Sequence, residues 1–238
     1  VLWTTVKTNS LGVVTYERNG KLHRDDDLPA VVHEGVTKKW YQNGLCHRGD
    51  DLPAVVRADG RQVWYQHGKC HRDRDLPAVI WADGMQEWYQ NDELHRGSDL
   101  PAVIWADGKQ EWHQHSKCHR DGDLPAVVCE NGYRAWFRRG KLHRSGDKPA
   151  VIRPNGQQEW YQNGKLHRSG DKPAVILGDK YKAWHRHGHL HRDCDKPAVI
   201  RERSRAWYQN NQLHRDGDKA AVIQEDGYRA WYLHDKLH

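Results

Sequence analysis

Phenylalanine and methionine are nearly missing from this chain, with one of each in 238 residues, and apolar residues reach only 37% at a mean hydropathy of −1.04. Ordinary globular domains hold roughly 45–50% apolar residues, so a deep aliphatic core is excluded. No apolar run approaches the roughly 18 residues of a membrane helix, and no membrane span is expected. The opening VLWTTVKTNS lacks the charged start and apolar stretch of a secretory signal. Val1 stands where an initiator Met would be, which points to trimming. Helical patterning is missing too: apolar residues nowhere recur at i, i+3, i+4 and i+7. No Walker loop, Gly-x-Ser-x-Gly or His-Glu-x-x-His occurs, so the protein is read as not an enzyme, with no cofactor. The five Cys form no CxxC pair. Cys46, Cys70 and Cys118 stand just before a His, in the slot of Leu22, Leu94, Leu142 and Leu166, as small buried hydrophobes in a reducing intracellular compartment.

What the chain does have is tryptophan, 12 in all, at a fixed beat. Trp40, Trp64, Trp88, Trp112, Trp136, Trp160 and Trp184 are 24 residues apart, as are His23, His47, His71, His95, His119, His143, His167 and His191. One 23-residue step follows, to Trp207 and His214, from a shortened turn around Arg203 and Ser204. The chain is therefore about ten copies of one unit, with residues 1–14 an atypical N-terminal segment or cap and 15–238 the repeats of a single array.

In a typical unit, Pro101 to Ala106 is a strand candidate, Asp107-Gly108 a turn, and Gln110 to Gln114 a second strand. Pro suits the head of a strand because it lacks an N–H. Asn43-Gly44 and Asn163-Gly164 fit a type I′ hairpin turn, which needs positive φ at both central residues. The KLHR segment adds a short third strand, and HRxGD links to the next unit. So small a unit cannot bury its own apolar face, and stability must come from neighbours. The recurrent Trp, the Val or Ile two residues after Ala in the PAV segment, and the Leu or Cys before His should form ladders. The fold class expected is all-β: tandem 24-residue β-hairpin repeats in an elongated, twisted, mostly antiparallel single-layer sheet. A propeller blade needs about 40 residues and is disfavoured.

The string W-Y-x-N-G-K-L-H-R-x-x-D-x-P-A-V, at Trp160 to Val175, resembles the MORN-like repeats of bacterial, phage and giant-virus proteins. The resemblance covers about Thr15 to His238. It implies hairpins stacked into a long sheet used for protein or membrane contacts, and no catalytic residues.

The His ladder is the most tempting metal candidate, but members a whole repeat apart would lie about 10 Å or more from each other, too far to share one ion. A structural role follows, each His bonding backbone or a nearby Asp, so that acid should unfold the array if these His are buried and neutral. Arg48 with Asp51, Arg96 with Asp99, Arg144 with Asp147 and Arg168 with Asp171 recur as well. There the carboxylate would cap the link while Arg bridges to a neighbour. An enzyme needs one asymmetric constellation, whereas these groups recur in nearly every unit.

Function is better sought where units differ. Residues 1–119 hold 15 Lys+Arg against 17 Asp+Glu, residues 120–238 hold 23 against 15, and the net +6 is therefore −2 in one half and +8 in the other. In one register Leu28, Leu52, Leu76, Leu100 and Leu124 give way to Lys148, Lys172, Lys196 and Lys219. With Arg134, Arg138, Arg139, Arg201, Arg203 and Arg205, this row is the candidate polyanion surface, for nucleic acid or anionic lipid. The alternative is a solvated face that guards the sheet against aggregation. Trp81 and Trp105 fill a slot held elsewhere by His33, Arg57, Arg153 and Arg201, and are the candidate partner-binding anchors, or else a local cover for the hairpin. The expectation is a non-enzymatic scaffold for an unknown protein partner or self-association, including a homodimer through open sheet ends, with nucleic-acid or anionic-lipid binding as the alternative.

Overall fold

A computed structural model describes residues 4–238, which fall into two compact units, the first ending at Lys117 and the second running from Cys118 to His238. Every strand pairing within each unit is antiparallel, and no helix occurs among the described residues. In the first unit each strand pairs with the next in the order Thr4–Thr8, Val13–Arg18, Val31–His33, Thr37–Lys39, Val55–Arg57, Gln62–Val63, Val79–Ile80, Gln86–Glu87, Val103–Ile104 and Gln110–Glu111. The second unit repeats the arrangement from Val127–Val128 and Arg134–Ala135 to Val222–Gln224 and Arg229–Ala230. Each sheet is open, a run of hairpins joined edge to edge. The atypical N-terminal segment supplies the first strand, Thr4–Thr8, in five-residue register with Val13–Arg18.

The strands are shorter than the sequence pattern predicts. The segment Gln110 to Gln114, expected as one strand, is cut at Trp112 into Gln110–Glu111 and His113–Gln114. The reason is the hydrogen bonding of the Trp backbone, as Trp160 shows: its N–H donates to Ala174 C=O of the next unit (2.8 Å), while its C=O accepts from His167 N–H of its own unit (2.9 Å). The two groups serve different neighbours, so the ladder cannot run through. After the Trp, Tyr161–Gln162 pairs with Lys165–Leu166 as a small separate hairpin. Its turn residues Asn163 and Gly164 have φ of 52° and 82°. These are the positive angles that a type I′ turn demands. The small hairpins stack as a second column through backbone bonds such as Gly164 N–H to Leu142 C=O and Gly188 N–H to Leu166 C=O.

Each sheet buries one face. Val63, Val79, Val127, Ala135, Val151 and Val175 lie there, packed under the Tyr, Phe, Leu and Cys of the small hairpins. The buried residue of the PAV strand is thus the Val directly after Ala. The Ile two residues after Ala, expected in the buried ladder, turns to the opposite face and stays half-buried, as Ile80 and Ile152 do. Strand alternation forces this outcome, because neighbouring residues point to opposite sides. The Ala itself is fully buried at Ala54, Ala78, Ala150 and Ala174, in register beside the Trp backbone. No larger side chain fits a place whose residual exposure is already zero.

Candidate functional site: the link between repeats

The link HRxxDxP is where the recurrent polar residues converge, and it is a clamp. In the unit ending at Pro173, the Trp160 indole N–H donates to the Asp147 backbone C=O (3.2 Å), and the Arg168 guanidinium lies 3.8 Å over the indole ring. Arg168 also grips the Asp147 carboxylate with Nε and Nη2 (2.6 and 3.2 Å) and reaches Pro173 C=O with Nη1 (3.3 Å). One Arg therefore binds three successive segments, by a stack, a fork and a carbonyl bond. The same set recurs at Trp40, Trp64 and Trp88 in the first unit and at Trp136, Trp184 and Trp207 in the second. The Asp held is the one in the preceding link. Arg48 takes Asp27 and Arg72 takes Asp51, so each Arg bridges to a neighbouring link, as expected from sequence. Each clamp Asp sits at positive φ, 50° at Asp27 and 55° at Asp147. Such a backbone persists in a non-Gly residue only when the surroundings hold it.

The His ladder completes the link. Nδ1 accepts a backbone N–H from the following small hairpin: Asn43 N–H reaches His23 (3.0 Å), Asn163 reaches His143 and His187 reaches His167 (both 3.3 Å). An amide N–H can only donate, so Nδ1 carries no proton and Nε2 is the N–H donor. That donor points at the residue two positions on, Asp25, Asp73, Asp193 and Asp216 at 2.9–3.0 Å. Burial holds the His23, His47 and His167 pKa below 6.5, helped at His23 by Arg18, at His47 by His67 and at His167 by His187. Where Asp or Ser stands two positions on, the His thus bonds both the backbone and that side chain, whereas His47 and His95 are followed there by Gly49 and Gly97.

Lys148, Lys172, Lys196 and Lys219 form the row that the sequence placed in one register. Each donates to the clamp Asp already held by an Arg: Asp123, Asp147 and Asp171 at 2.7 Å and Asp195 at 2.8 Å. The Arg bonds first and the Lys bonds second hold Asp123, Asp171 and Asp195 down to about 2, and Asp147 well below the usual carboxylate range. One carboxylate against two cations leaves one positive charge at each such trio, which Asp193 and Asp216 offset in the last two links.

The structure does not gather the remaining basic candidates with this row. Arg134 turns back to the Cys129 and Tyr133 carbonyls (2.8 and 3.0 Å). Arg138 and Arg139 belong to a small hairpin, Arg139 at its turn with φ 51°. Arg201 lies 5.7 Å from the Tyr181 ring, Arg203 is in the two-residue turn between Arg201 and Ser204, and Arg205 is exposed on the sheet opposite Ile200. Trp81 packs against the Val63 and Val79 cluster under the Arg61 guanidinium (3.8 Å). Trp105 is 39% exposed, with its indole 3.3 Å from Glu111 and Lys109 4.6 Å from its ring. In the same slot Arg153 reaches the buried Glu159 (2.5 Å), so this position covers a glutamate on the packed face.

Sequence reasoning passed over the position two after each His. It is Asp in most links, Gly at Gly49 and Gly97, and Ser at Ser145 and Ser169. The variation was visible in the repeat alignment, but only the His-to-Asp bond gives it meaning. The chain matches no known family model and no characterised protein sequence.

Proposed function

We propose that this chain is a non-enzymatic repeat scaffold whose surface serves protein–protein interaction or self-assembly. The observation that carries this is the use made of the chemically versatile side chains. Trp, Arg, Asp and His recur in link after link and are engaged in holding one repeat to the next. What varies outward is the slot before Pro, where Leu28, Leu52 and Leu100 are 43%, 39% and 38% exposed. Leucines at repeat spacing on otherwise polar links offer an apolar strip to a protein surface. The resemblance to MORN-like repeats, whose arrays serve protein or membrane contacts, supports the same use.

Sedimentation velocity of the whole chain over a wide concentration range tests self-assembly. Association of the wild type that disappears in Leu28→Lys/Leu52→Lys/Leu100→Lys, with an unchanged circular dichroism spectrum, is the expected result. Association unaffected by the three substitutions, or a mass that stays constant in the wild type, would overturn assembly through this strip.

A second use, binding of nucleic acid or anionic lipid, is favoured by the +8 charge of residues 120–238 and by the unbalanced cation at the Lys148 and Lys172 links. Anisotropy of labelled single-stranded and duplex DNA should then fall steeply with added salt. No binding at low salt would refute it.

A further inference from the structure

Repeats that keep an Asp two positions after the ladder His show what that place receives. Asp73 gives one carboxylate oxygen to His71 Nε2 (3.0 Å) and the other to the Gln66 amide (2.7 Å). Asp193 does the same with His191 (2.9 Å) and Arg186 (3.4 Å), and Asp216 with His214 (2.9 Å) and Gln209 (3.5 Å). Asp25 bridges His23 and Arg18. The donors in every case are an imidazole N–H and a side chain seven residues before the Asp. Together they form a seat for two oxygens of an anion, and the chain fills it with its own carboxylate.

Two consecutive repeats leave the seat without an acid. Ser145 and Ser169 stand there, each Oγ at 3.3 Å from the His Nε2, with Arg138 and Gln162 as the second donors. The imidazole proton stays on Nε2, because Nδ1 of both His143 and His167 accepts a backbone N–H. Between these two links lies a groove of about 520 Å³, lined by His143, Arg144, Ser145, His167, Arg168, Ser169 and Lys172 among others. Other grooves of this kind, each lined by one link that keeps the acid and one that lacks it, measure about 320, 290 and 260 Å³, with Asp193 beside Ser169, Asp121 beside Ser145 and Asp73 beside Gly97. The single carboxylate of the larger groove, Asp147, is already bound by Arg168 and Lys172. Gly49 and Gly97 also lack the acid, but their links carry Leu52 and Leu100 in place of Lys.

We infer that the groove between the Ser145 and Ser169 links is an anion site for a phosphate group, inorganic or as a monoester. Two phosphate oxygens take the places of the missing carboxylate's oxygens, one on His167 Nε2 and one on the Gln162 amide, the Ser169 hydroxyl adds a donor, and Lys172 and Arg168 supply the field. A phosphate offers three acceptor oxygens and a charge of about −2 to this donor set. The site stands apart from the apolar strip of the first unit, so either can fail without the other.

The test is isothermal titration of the full chain at pH 7.5 and low ionic strength, with inorganic phosphate and, in a separate arm, O-phosphoserine. The comparison variant is Ser169→Asp, which restores the residue that other repeats carry and therefore keeps the fold, as an unchanged circular dichroism spectrum and urea midpoint would verify. Saturable binding of either probe by the wild type, weakened roughly tenfold or more in Ser169→Asp, is the expected result. Absence of saturable binding in both arms, or equal affinity in the variant, would overturn the site.

Discussion

The clamp predicts which charges are energetically coupled, and a pair of double-mutant cycles at Arg72 reads it. Arg72 holds Asp51 with two bonds of 2.8 Å, stacks 3.9 Å over Trp64 and reaches Pro77 C=O at 3.3 Å. Its side chain is 13% exposed, while that of Asp51 is 39% exposed. A bond to a charged group contributes about 1.5–3 kcal/mol when shielded, and a fully exposed ion pair about 0–1. A pair with one shielded partner falls between, so Arg72→Lys and Asp51→Asn should couple by about 1–2 kcal/mol. Lys keeps the charge but loses the fork and most of the stack, itself about 0.5–1 kcal/mol. Arg72→Lys alone should therefore cost about 2 kcal/mol, a shift of roughly 1 M in the urea midpoint followed by circular dichroism. The second cycle pairs Arg72→Lys with Asp75→Asn. Asp75 is only three residues from Arg72 but is held by Arg96 at 2.7 Å through both oxygens, so this cycle should stay within about 0.5 kcal/mol. Equal coupling in the two cycles, or none with Asp51, would refute the link-to-link assignment.

Acid should weaken the fold in two steps. His23, His47 and His167 have folded pKa values below the unfolded 6.5, so their contribution is complete above pH 6.5 and is lost as pH falls through the folded values. Asp123, Asp171 and Asp195, held near 2, contribute fully above their unfolded 3.8 and lose that contribution between there and about 2. Urea midpoints at pH 7.5, 5.5 and 3.5 check both steps, and an unchanged midpoint at 5.5 would exclude the first. Ala150→Leu places extra carbons at a site of zero exposure and should cost about 1–3 kcal/mol or more, measured by the same unfolding curves. Burial pushes the Cys46 thiol to about 11 and Cys70 to about 12, whereas Cys194 is exposed. Iodoacetamide at pH 8 should label Cys194 well before Cys70, as peptide mass spectrometry would report.

Period and alternation carry most of the architecture, because both are written in residue spacing. The 24-residue beat, the positive-φ turns at Asn43-Gly44 and Asn163-Gly164 and a short turn near Arg203 are all legible before any coordinates, although the turn falls on Glu202-Arg203 and Ser204, expected in it, already pairs with Arg201 in the sheet. The break at Trp112 is not, since Gln110 to Gln114 has the alternation of a continuous strand. Only the two destinations of the Trp backbone groups, seen at Trp160 in Ala174 and His167, end the ladder. The bridging role of Arg was legible, but which carboxylate receives it was not, for a related reason. Asp51 lies three residues from Arg48 and Asp27 lies 21 away, yet stacking neighbouring repeats brings the distant one within 2.7 Å. Long-range pairings of this kind are set by the packing of units, on which local spacing is silent. The Lys row was legible as a register, whereas its sharing of clamp carboxylates was not.

A fold with so little aliphatic material has to obtain its cohesion elsewhere, and the clamp shows where. Trp160 is 6% exposed, but what covers it includes an Arg side chain 14% exposed that is itself fixed by a carboxylate 43% exposed. Apolar burial, cation stacking and an ion pair are thus layered from inside to surface within one link, and each layer shields the next from water. Because that arrangement recurs at link after link, it leaves little freedom to the Trp, Arg and Asp positions. The slot before Pro and the position two after His lie at its rim, where Leu can replace Lys and Ser can replace Asp without removing the stack or the fork. Chemical individuality is therefore confined to the rim, and the apolar strip of Leu28, Leu52 and Leu100 and the acid-free seat at Ser169 are its two clearest expressions.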